Sequence, residues 1–283
     1  MVDQPILVLA ATGGQGSAVT DALLRRGAAI RAMVREPRRE SARRLADQGV
    51  DVVAGSLSDR GSLAAAMDGV SAVFAYTTPF ESGVDAEVAQ GRAIVAAADE
   101  KRVPHLVFSS VAGAGQESGV PHFDSKARIE GALTAGDVPF TILRPTYFFD
   151  NALGGTERIL DGVLDLPLAS DRPLQQLARA DHGAFAAEVL LDPAPYVGKR
   201  IELASDAPTP AQMAAALGDA LGREVRHEHV PLKSIGNPDM HAMWTFLNGP
   251  GYRVDIPALH ASHPEIAWTT FADWAHVRFG VTH

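Results

Sequence analysis

Residues Ile6 to Gly16 read ILVLAATGGQG and decide the fold of this chain. The apolar run from Ile6 to Ala10 is short and uniform, which is typical of a parallel strand buried on both faces. A glycine-rich turn follows, and then an amphipathic helix pattern that ends at Gly27. Strand, glycine turn and helix together predict the pyrophosphate-binding unit of a dinucleotide fold, because a helix N-terminus offers N–H groups to phosphate. The alternative is a βα turn of another doubly wound protein.

The residues of this turn that we expect to bind the cofactor are Ala11, Thr12, Gly13, Gly14, Gln15 and Gly16.

Composition limits the other possibilities. The chain has 283 residues, 46% of them hydrophobic, which indicates a globular protein of one compound domain or two. The absence of cysteine excludes disulfides, thiolate metal sites and cysteine nucleophiles. A net charge of −9 argues against a broad nucleic-acid surface, so no nucleic-acid partner is expected. No membrane-spanning run or secretory signal is visible, so we expect a cytoplasmic protein without membrane association.

Strands alternate with helices up to Arg144-Pro145, which predicts an α/β fold with a doubly wound parallel sheet of the Rossmann type. Two of the predicted helices run from Arg60 to Met67 and from Asp124 to Ala135. Beyond Arg144-Pro145 the pattern becomes irregular and aromatic, and Thr209-Pro210-Ala211-Gln212 is a capping box that predicts the start of a further helix. We therefore expect an NAD(P)-binding domain over residues 1–150 and a smaller C-terminal substrate lobe over residues 151–283. In an alternative division, residues 181–204 return to the first domain.

The end of the second predicted strand, Ala29 to Val34, indicates which cofactor binds. An acid there binds the ribose 2′-hydroxyl of NAD, whereas an arginine suits the 2′-phosphate of NADP. Arg35 stands at this place with Arg38 and Arg39 behind it, which favours NADP(H). The neighbouring Glu36 keeps NAD as an alternative, and a solvated basic loop is the alternative without a ligand.

A second cofactor segment follows the fourth predicted strand, residues 72–75. In the strand order 3-2-1-4-5, the first and fourth strands flank the point where ligands bind. We therefore expect Thr77, Thr78 and Pro79 to line the nicotinamide side of the site. An ordinary polar loop is the alternative.

Four segments in order along nearly the whole chain share a pattern: AATGGQG at 10–16, VREP at 34–37, HFDSK at 122–126, and LRP at 143–145 followed by Phe149 and Asn151. They resemble the NmrA-like proteins, which are atypical short-chain dehydrogenase/reductases, and HFDSK is similar to their NADPH-sensing branch. The resemblance implies a Rossmann domain with a small C-terminal lobe, NADP(H) binding, and either reductase activity or a regulatory role. Ala10 departs from the family pattern, which has glycine there.

The catalytic residues are harder to assign, because no tyrosine precedes a lysine by four residues as in typical short-chain reductases. His122 stands at that spacing before Lys126 and is a candidate proton donor, because the unperturbed histidine side chain has a pKa of about 6.5; a surface histidine is the alternative. By the resemblance, Lys126 holds the nicotinamide ribose. Ser109 occupies the place of the substrate-orienting serine, with an ordinary strand-end hydroxyl as its alternative. Tyr147 is either a second proton donor or a wall of an aromatic pocket.

His227-Glu228-His229 places two histidines on one face of a strand without a third ligand nearby, so no metal site is expected. Two functions fit the remaining features. One is an NADPH-dependent reductase that transfers hydride to a small carbonyl, quinone or enone. The other is a non-catalytic redox sensor that binds NADP(H) and regulates a protein partner. We favour the enzyme, because hydride transfer is the chemistry of the cofactor and needs mainly positioning from the protein.

Overall fold

The computed structural model describes residues 4–280, which form alternating strands and helices. The strands are β1 (Ile6–Leu9), β2 (Ile30–Val34), β3 (Asp51–Ala54), β4 (Ala72–Tyr76), β5 (Leu106–Ser109), β6 (Phe140–Pro145), β7 (Tyr147–Phe148), β8 (Val163–Leu166), β9 (Gln176–Leu177), β10 (Arg200–Leu203) and β11 (Arg226–His229). The helices are α1 (Gly14–Arg25), α2 (Glu40–Asp47), α3 (Arg60–Met67), α4 (Val84–Glu100), α5 (Pro121–Thr134), α6 (Thr156–Leu160), α7 (Arg179–Leu191), α8 (Pro210–Leu221), α9 (Pro238–Asn248), α10 (Ile256–Ser262) and α11 (Phe271–Phe279).

The chain folds into two compact units, and each unit is built from three separate segments of the sequence. The first unit runs to Ala114 and also contains residues 122–144 and His182–Ile201; the second contains Gly115–Pro121, Pro145–Asp181 and the chain from Glu202 onward. These boundaries differ from a single cut at residue 150: the second unit takes up the chain at Pro145, and most of α7 lies in the first. The division into an NAD(P)-binding domain and a substrate lobe stays a prediction.

A seven-stranded parallel sheet in the order β10-β6-β5-β4-β1-β2-β3 runs through the first unit. In its register, Ile6 of β1 lies opposite Ile30 of β2 and Ala72 of β4. The order 3-2-1-4-5 expected for the first five strands is therefore confirmed, as is the Rossmann-type α/β class. β1 and β5 are buried along their whole length, as expected for strands covered by helices on both faces.

The core on one side of this sheet joins β1, β4 and β5 to helices α3, α4 and α5. Phe108 of β5 and Ile129 of α5 are among its fully packed side chains. A Cβ at Gly91 would lie 2.5 Å from the side chain of Ile129, so α4 and α5 approach each other closely there. Helix α3 has the predicted bounds, whereas α5 begins at Pro121, three residues before the expected Asp124. His122 consequently lies in the first turn of α5.

The second unit contains two short parallel strand pairs, β8 with β11 and β7 with β9. Helix α8 opens with the predicted capping box, in which Thr209 and Gln212 cap each other's backbone, and Pro210 is its first residue. An aromatic cluster of Phe149, Phe271 and Trp274 lies in its interior, with ring centroids 5.2–5.9 Å apart. Within residues 4–280, no helix has the length and apolar character needed to span a membrane.

The turn between β1 and α1 contains a strained residue. Ala10 has a φ of +49°, in the left-handed region, and its carbonyl accepts a hydrogen bond from the Gly13 N–H at 2.9 Å. This conformation costs an L-residue about 1–2 kcal/mol, whereas glycine adopts it readily. The backbone therefore favours glycine at the position where this chain has alanine.

We predict that Ala10→Gly raises the free energy of unfolding by about 1 kcal/mol, because it removes the left-handed strain. The matched control is Ala11→Gly in the same turn, where the φ is not positive and the methyl group is fully buried. That variant should lose about 1–2 kcal/mol through added chain entropy and lost burial. Urea unfolding measures both. Equal destabilisation by the two substitutions would contradict the strained conformation of Ala10.

Candidate cofactor site

Helix α1 presents its N-terminus at the glycine turn. It begins at Gly14, with Gly13 as an N-cap that contributes no side chain, and its first turn carries no acidic residue. The first N–H groups of a helix lack intrahelical acceptors, and the helix dipole places positive potential there. The end of α1 therefore has the donors and the charge that fit a pyrophosphate.

The turn is tight because of Gly16. A Cβ at this position would lie 2.3 Å from the carbonyl oxygen of Ala10 and 2.9 Å from the Cα of Ala11. Gly16 is buried, so its glycine character serves the packing of α1 against the end of β1 rather than an open approach to a ligand. At Gly13 a Cβ would lie 1.9 Å from the hydroxyl of Tyr76, so the end of β4 closes over that side of the turn.

A cavity of about 430 Å³ opens beside this turn at the carboxyl ends of β1 to β4. That volume is within the range of small-molecule and cofactor sites. The cavity brings together three predicted segments, namely the glycine turn, the arginine loop and the residues after β4. Its polar lining includes Thr12, Arg35, Arg39, Ser41, Ser56, Ser58, Tyr76, Thr77, Thr78, Glu81, Ser82 and Gln90. The expected cofactor residues that do not line it are Ala11, Gly14, Gln15, Gly16, Pro79 and Lys126.

Two arginines line the cavity, and each is paired with an acid. Arg35 donates to both carboxylate oxygens of Glu81, at 2.8 and 3.3 Å, and Arg39 forms a similar pair with Glu36 at 2.9 Å. All four side chains are exposed, and such surface pairs contribute only about 0–1 kcal/mol. A phosphate dianion can therefore replace the carboxylates. Glu81 was not anticipated, because an acid in a loop distant in sequence has no local signature.

Lys126 of α5 is buried, and its ammonium group lies against Thr77, the residue that follows β4. Its Nζ donates to the carbonyl oxygen of Thr77 at 2.6 Å and to the Thr77 hydroxyl at 3.1 Å, and it lies 3.0 Å from Oε1 of Glu87. Burial lowers the pKa of Lys126, while the Glu87 carboxylate opposes that shift. The structure thus brings together two expected site residues, Lys126 and Thr77, and adds Glu87 and Ser125, which the sequence analysis missed.

Ser109 is fully buried at the end of β5, and its hydroxyl lies 3.1 Å from Nε2 of His182. Burial also lowers the pKa of His182 to about 3, so the ring is neutral at physiological pH. The ring meets Phe74 edge-on, with centroids 5.9 Å apart. Ser109 is therefore a packed, hydrogen-bonded residue, and its substrate-orienting role stays a prediction.

His122 lies half-buried in the first turn of α5, packed edge-on against Phe123 and 5.6 Å from the ring of Phe80. Phe80 follows β4 and is 70% exposed. His122 thus belongs to a surface that reaches the segment after β4. Its role as a proton donor stays a prediction.

Tyr147 lies in the second unit, where it lines a cavity of about 250 Å³ together with Asn151, Met213 and Trp244. Its ring is 5.5 Å from that of Trp244. Burial raises the pKa of the Tyr147 hydroxyl to about 12, against a hydrogen bond with Asn151 that lowers it. The hydroxyl stays protonated at neutral pH and is poorly matched to general acid catalysis, which favours a pKa near the working pH. Its position corresponds to the aromatic pocket wall, the alternative in the sequence analysis.

His227 and Glu228 of β11 have other partners. His227 Nδ1 lies 2.8 Å from the Ser170 hydroxyl, and Glu228 pairs with Arg158 and Arg226. In the part of the chain that the structure describes, no three His, Asp or Glu side chains are grouped to hold a metal ion.

Comparison with known proteins assigns the family. A model described as the NmrA-like family matches residues 2–274. Quinone oxidoreductase 2 of Escherichia coli is 30% identical over 244 residues, 83% of either chain, and NAD(P)H azoreductase of Xenophilus azovorans is 30% identical over 81% of this chain and 78% of that one. The crystal structure of the E. coli NADPH-dependent quinone oxidoreductase with NADPH aligns with a TM-score of 0.81 at 27% identity, over 97% of this chain and 100% of the other. The chain therefore belongs to the NmrA-like family, which confirms the resemblance seen in its sequence.

Proposed function

We propose that this protein is an NADP(H)-dependent reductase that transfers hydride to a small quinone, carbonyl or enone. The observation that carries the proposal is the cavity in which the glycine turn at the start of α1 meets Arg35 and Arg39. The relatives at 30% identity are a quinone oxidoreductase and an NAD(P)H azoreductase. The expected enzyme class, an NADPH-dependent oxidoreductase, and the expected cofactor, NADP(H), are therefore confirmed. The identity of the hydride acceptor, a small quinone, carbonyl or enone, is our proposal.

The residues of the cavity fit the parts of the cofactor. The uncapped N-terminus of α1 would hold the pyrophosphate, and Arg35 and Arg39 would hold the 2′-phosphate once it displaces their carboxylate partners. Thr77 and Thr78 would border the cofactor where β4 ends. When bound, NADPH supplies the hydride, and the contribution of the protein is to hold donor and acceptor in place.

Proton delivery has two candidate residues in this chain. Tyr147 keeps its proton at neutral pH, so it suits hydrogen-bond donation to an acceptor oxygen better than proton transfer. His122 is the first candidate donor, because an imidazole can donate a proton at physiological pH. Hydride transfer to a quinone would leave a hydroquinone anion, which can take its one proton from water, so a quinone acceptor places the smallest demand on either residue.

The alternative function is a redox sensor that binds NADP(H) without turnover and acts on a protein partner. The observation that favours it is the missing Tyr-x-x-x-Lys pair. The negative transcriptional regulator NmrA has a similar fold, with a TM-score of 0.81 at 21% identity for its complex with NAD. At that identity the likeness supports the fold alone.

We predict that the purified protein oxidises NADPH with at least one acceptor from a panel of quinones, enones and aldehydes, with a kcat of about 1–10³ s⁻¹. The measurement is the loss of NADPH absorbance under saturating cofactor. Gly16→Val is the negative control, because any side chain there collides with the Ala10 carbonyl and disrupts the cofactor turn. Binding of NADPH without oxidation by any acceptor would overturn the reductase and favour the sensor.

We predict that Arg35→Ala weakens NADPH binding by about 10–100-fold while NADH binding changes little, because a charge-assisted bond to the 2′-phosphate is lost. Titration calorimetry with both cofactors measures the effect. Arg38→Ala is the matched control, since Arg38 carries the same charge in the same loop but does not line the cavity. An equal loss for NADPH and NADH would show that Arg35 supports the loop rather than the phosphate.

A further inference from the structure

The ammonium group of Lys126 is fully engaged by the protein. A lysine has three N–H donors, and here three acceptors surround Nζ: the carbonyl oxygen of Thr77, the hydroxyl of Thr77 and Oε1 of Glu87, at 2.6, 3.1 and 3.0 Å. The side chain is 8% exposed. The aromatic ring of Phe108 covers it from one side, 5.4 Å from Nζ to the centroid. No donor of this lysine is directed toward a ligand.

Glu87 is the matching partner from α4, and it is completely buried. One carboxylate oxygen meets Lys126 and accepts from the Thr77 hydroxyl at 3.0 Å, and the other accepts from the hydroxyl of Ser125. The carboxylate is therefore satisfied by donors from α5 and from the segment after β4. If Lys126 turned toward a cofactor ribose, a buried carboxylate would lose its counter-ion, which is strongly unfavourable.

Thr77, which Lys126 and Glu87 hold, is part of the wall of the cofactor cavity. Thr77 and Thr78 line the cavity on the side of β4, and Gln90, one turn after Glu87 on α4, lines it as well. Lys126 itself is not among the lining residues. The pair thus joins α4, α5 and the end of β4 directly behind the wall of the cavity.

From this geometry we propose that Lys126 is a positioning residue, which together with Glu87 fixes the Thr77-Thr78 wall of the cofactor cavity and does not bind the nicotinamide ribose. The inference rests on the proposed NADP(H) site. It reverses the role that the resemblance implied for this lysine, and it makes Glu87 equally necessary for cofactor binding although Glu87 has no exposed surface.

The test uses Lys126→Met, Glu87→Gln and the double variant, with NADPH and 2′,5′-ADP as ligands. The second ligand has the 2′-phosphate but no nicotinamide ribose. Each single variant leaves one buried charge unpaired, so we expect a lower Tm and a Kd raised by about tenfold or more for both ligands alike. The double variant leaves no buried charge unpaired, so it should recover most of the Tm and bind both ligands more tightly than either single variant. Because it lacks the contacts to Thr77, both Kd values should stay above those of the native protein.

A ribose contact gives the opposite pattern. Lys126→Met would then weaken NADPH but not 2′,5′-ADP, and adding Glu87→Gln would not restore NADPH binding; either result overturns the proposal. A double variant that does not fold also overturns the proposal, because removing both charges together leaves no buried charge unpaired. If Lys126→Met alone does not fold, the double variant and Glu87→Gln decide the question.

Arg128→Met is the matched control, because Arg128 pairs with Asp85 between the same two helices but at the surface. It should change neither the Tm nor either Kd appreciably. Binding by the native protein distinguishes failure of the NADP(H) site from failure of the role of the Lys126–Glu87 pair. If the native protein binds neither ligand, the proposed NADP(H) site fails, whereas the recovery of Tm in the double variant still reports on the pair itself.

Discussion

The carbonyl oxygen of Ala10 fixes how the first strand meets the first helix. Only a residue without a Cβ fits at Gly16, 2.3 Å from that oxygen, and this contact aims the N-terminus of α1 at the carboxyl edge of the sheet. A second glycine acts on the other side of α1, where a Cβ at Gly183 would lie 2.3 Å from the carbonyl oxygen of Ala18. Helix α1 is therefore held between the turn and α7. The anion-binding end of the helix follows from backbone packing before any polar side chain is considered.

Much of the sheet follows from sequence because its signals are local. Buried apolar runs indicate the first strands, the Rossmann-type class implies their order, and the capping box at Thr209 indicates the start of α8. The start of α5 was predicted three residues late, at Asp124, a residue type that is also common at helix starts. The helix instead begins at Pro121, whose fixed φ suits a first turn. Errors of this kind arise where two residues offer competing starts within one turn.

The site was less predictable, because its decisive partners are distant in sequence. Arg35, Thr77 and Thr78 are recognisable from their places after strands, and all three line one cavity. Glu87 lies on α4 beside the apolar residues of its inner face, and nothing local distinguishes it from a solvated acid. The role of Lys126 was taken from a family pattern, while its burial depends on tertiary contacts. Motif spacing in a sequence indicates the type of residue at a position. It does not indicate which atoms that side chain contacts in the folded protein.

Buried and exposed charges have different roles along the carboxyl edge of the sheet, where α/β proteins bind ligands. Two buried acids fasten this edge: Glu87 holds Thr77 after β4, and Glu130 accepts from Ser110 after β5 at 2.5 Å and from Arg144 of β6 at 2.6 Å. A buried pair is satisfied in one geometry only, so the Glu87 contacts keep the Thr77-Thr78 wall of the cavity fixed. The pair of Arg35 with Glu81 is exposed and weak, so its arginine can exchange a carboxylate for a phosphate. The buried pair of Glu87 with Lys126 holds the wall of the cavity in place, while the exposed pair of Arg35 with Glu81 can exchange its carboxylate. The site is therefore preformed and still open to its ligand.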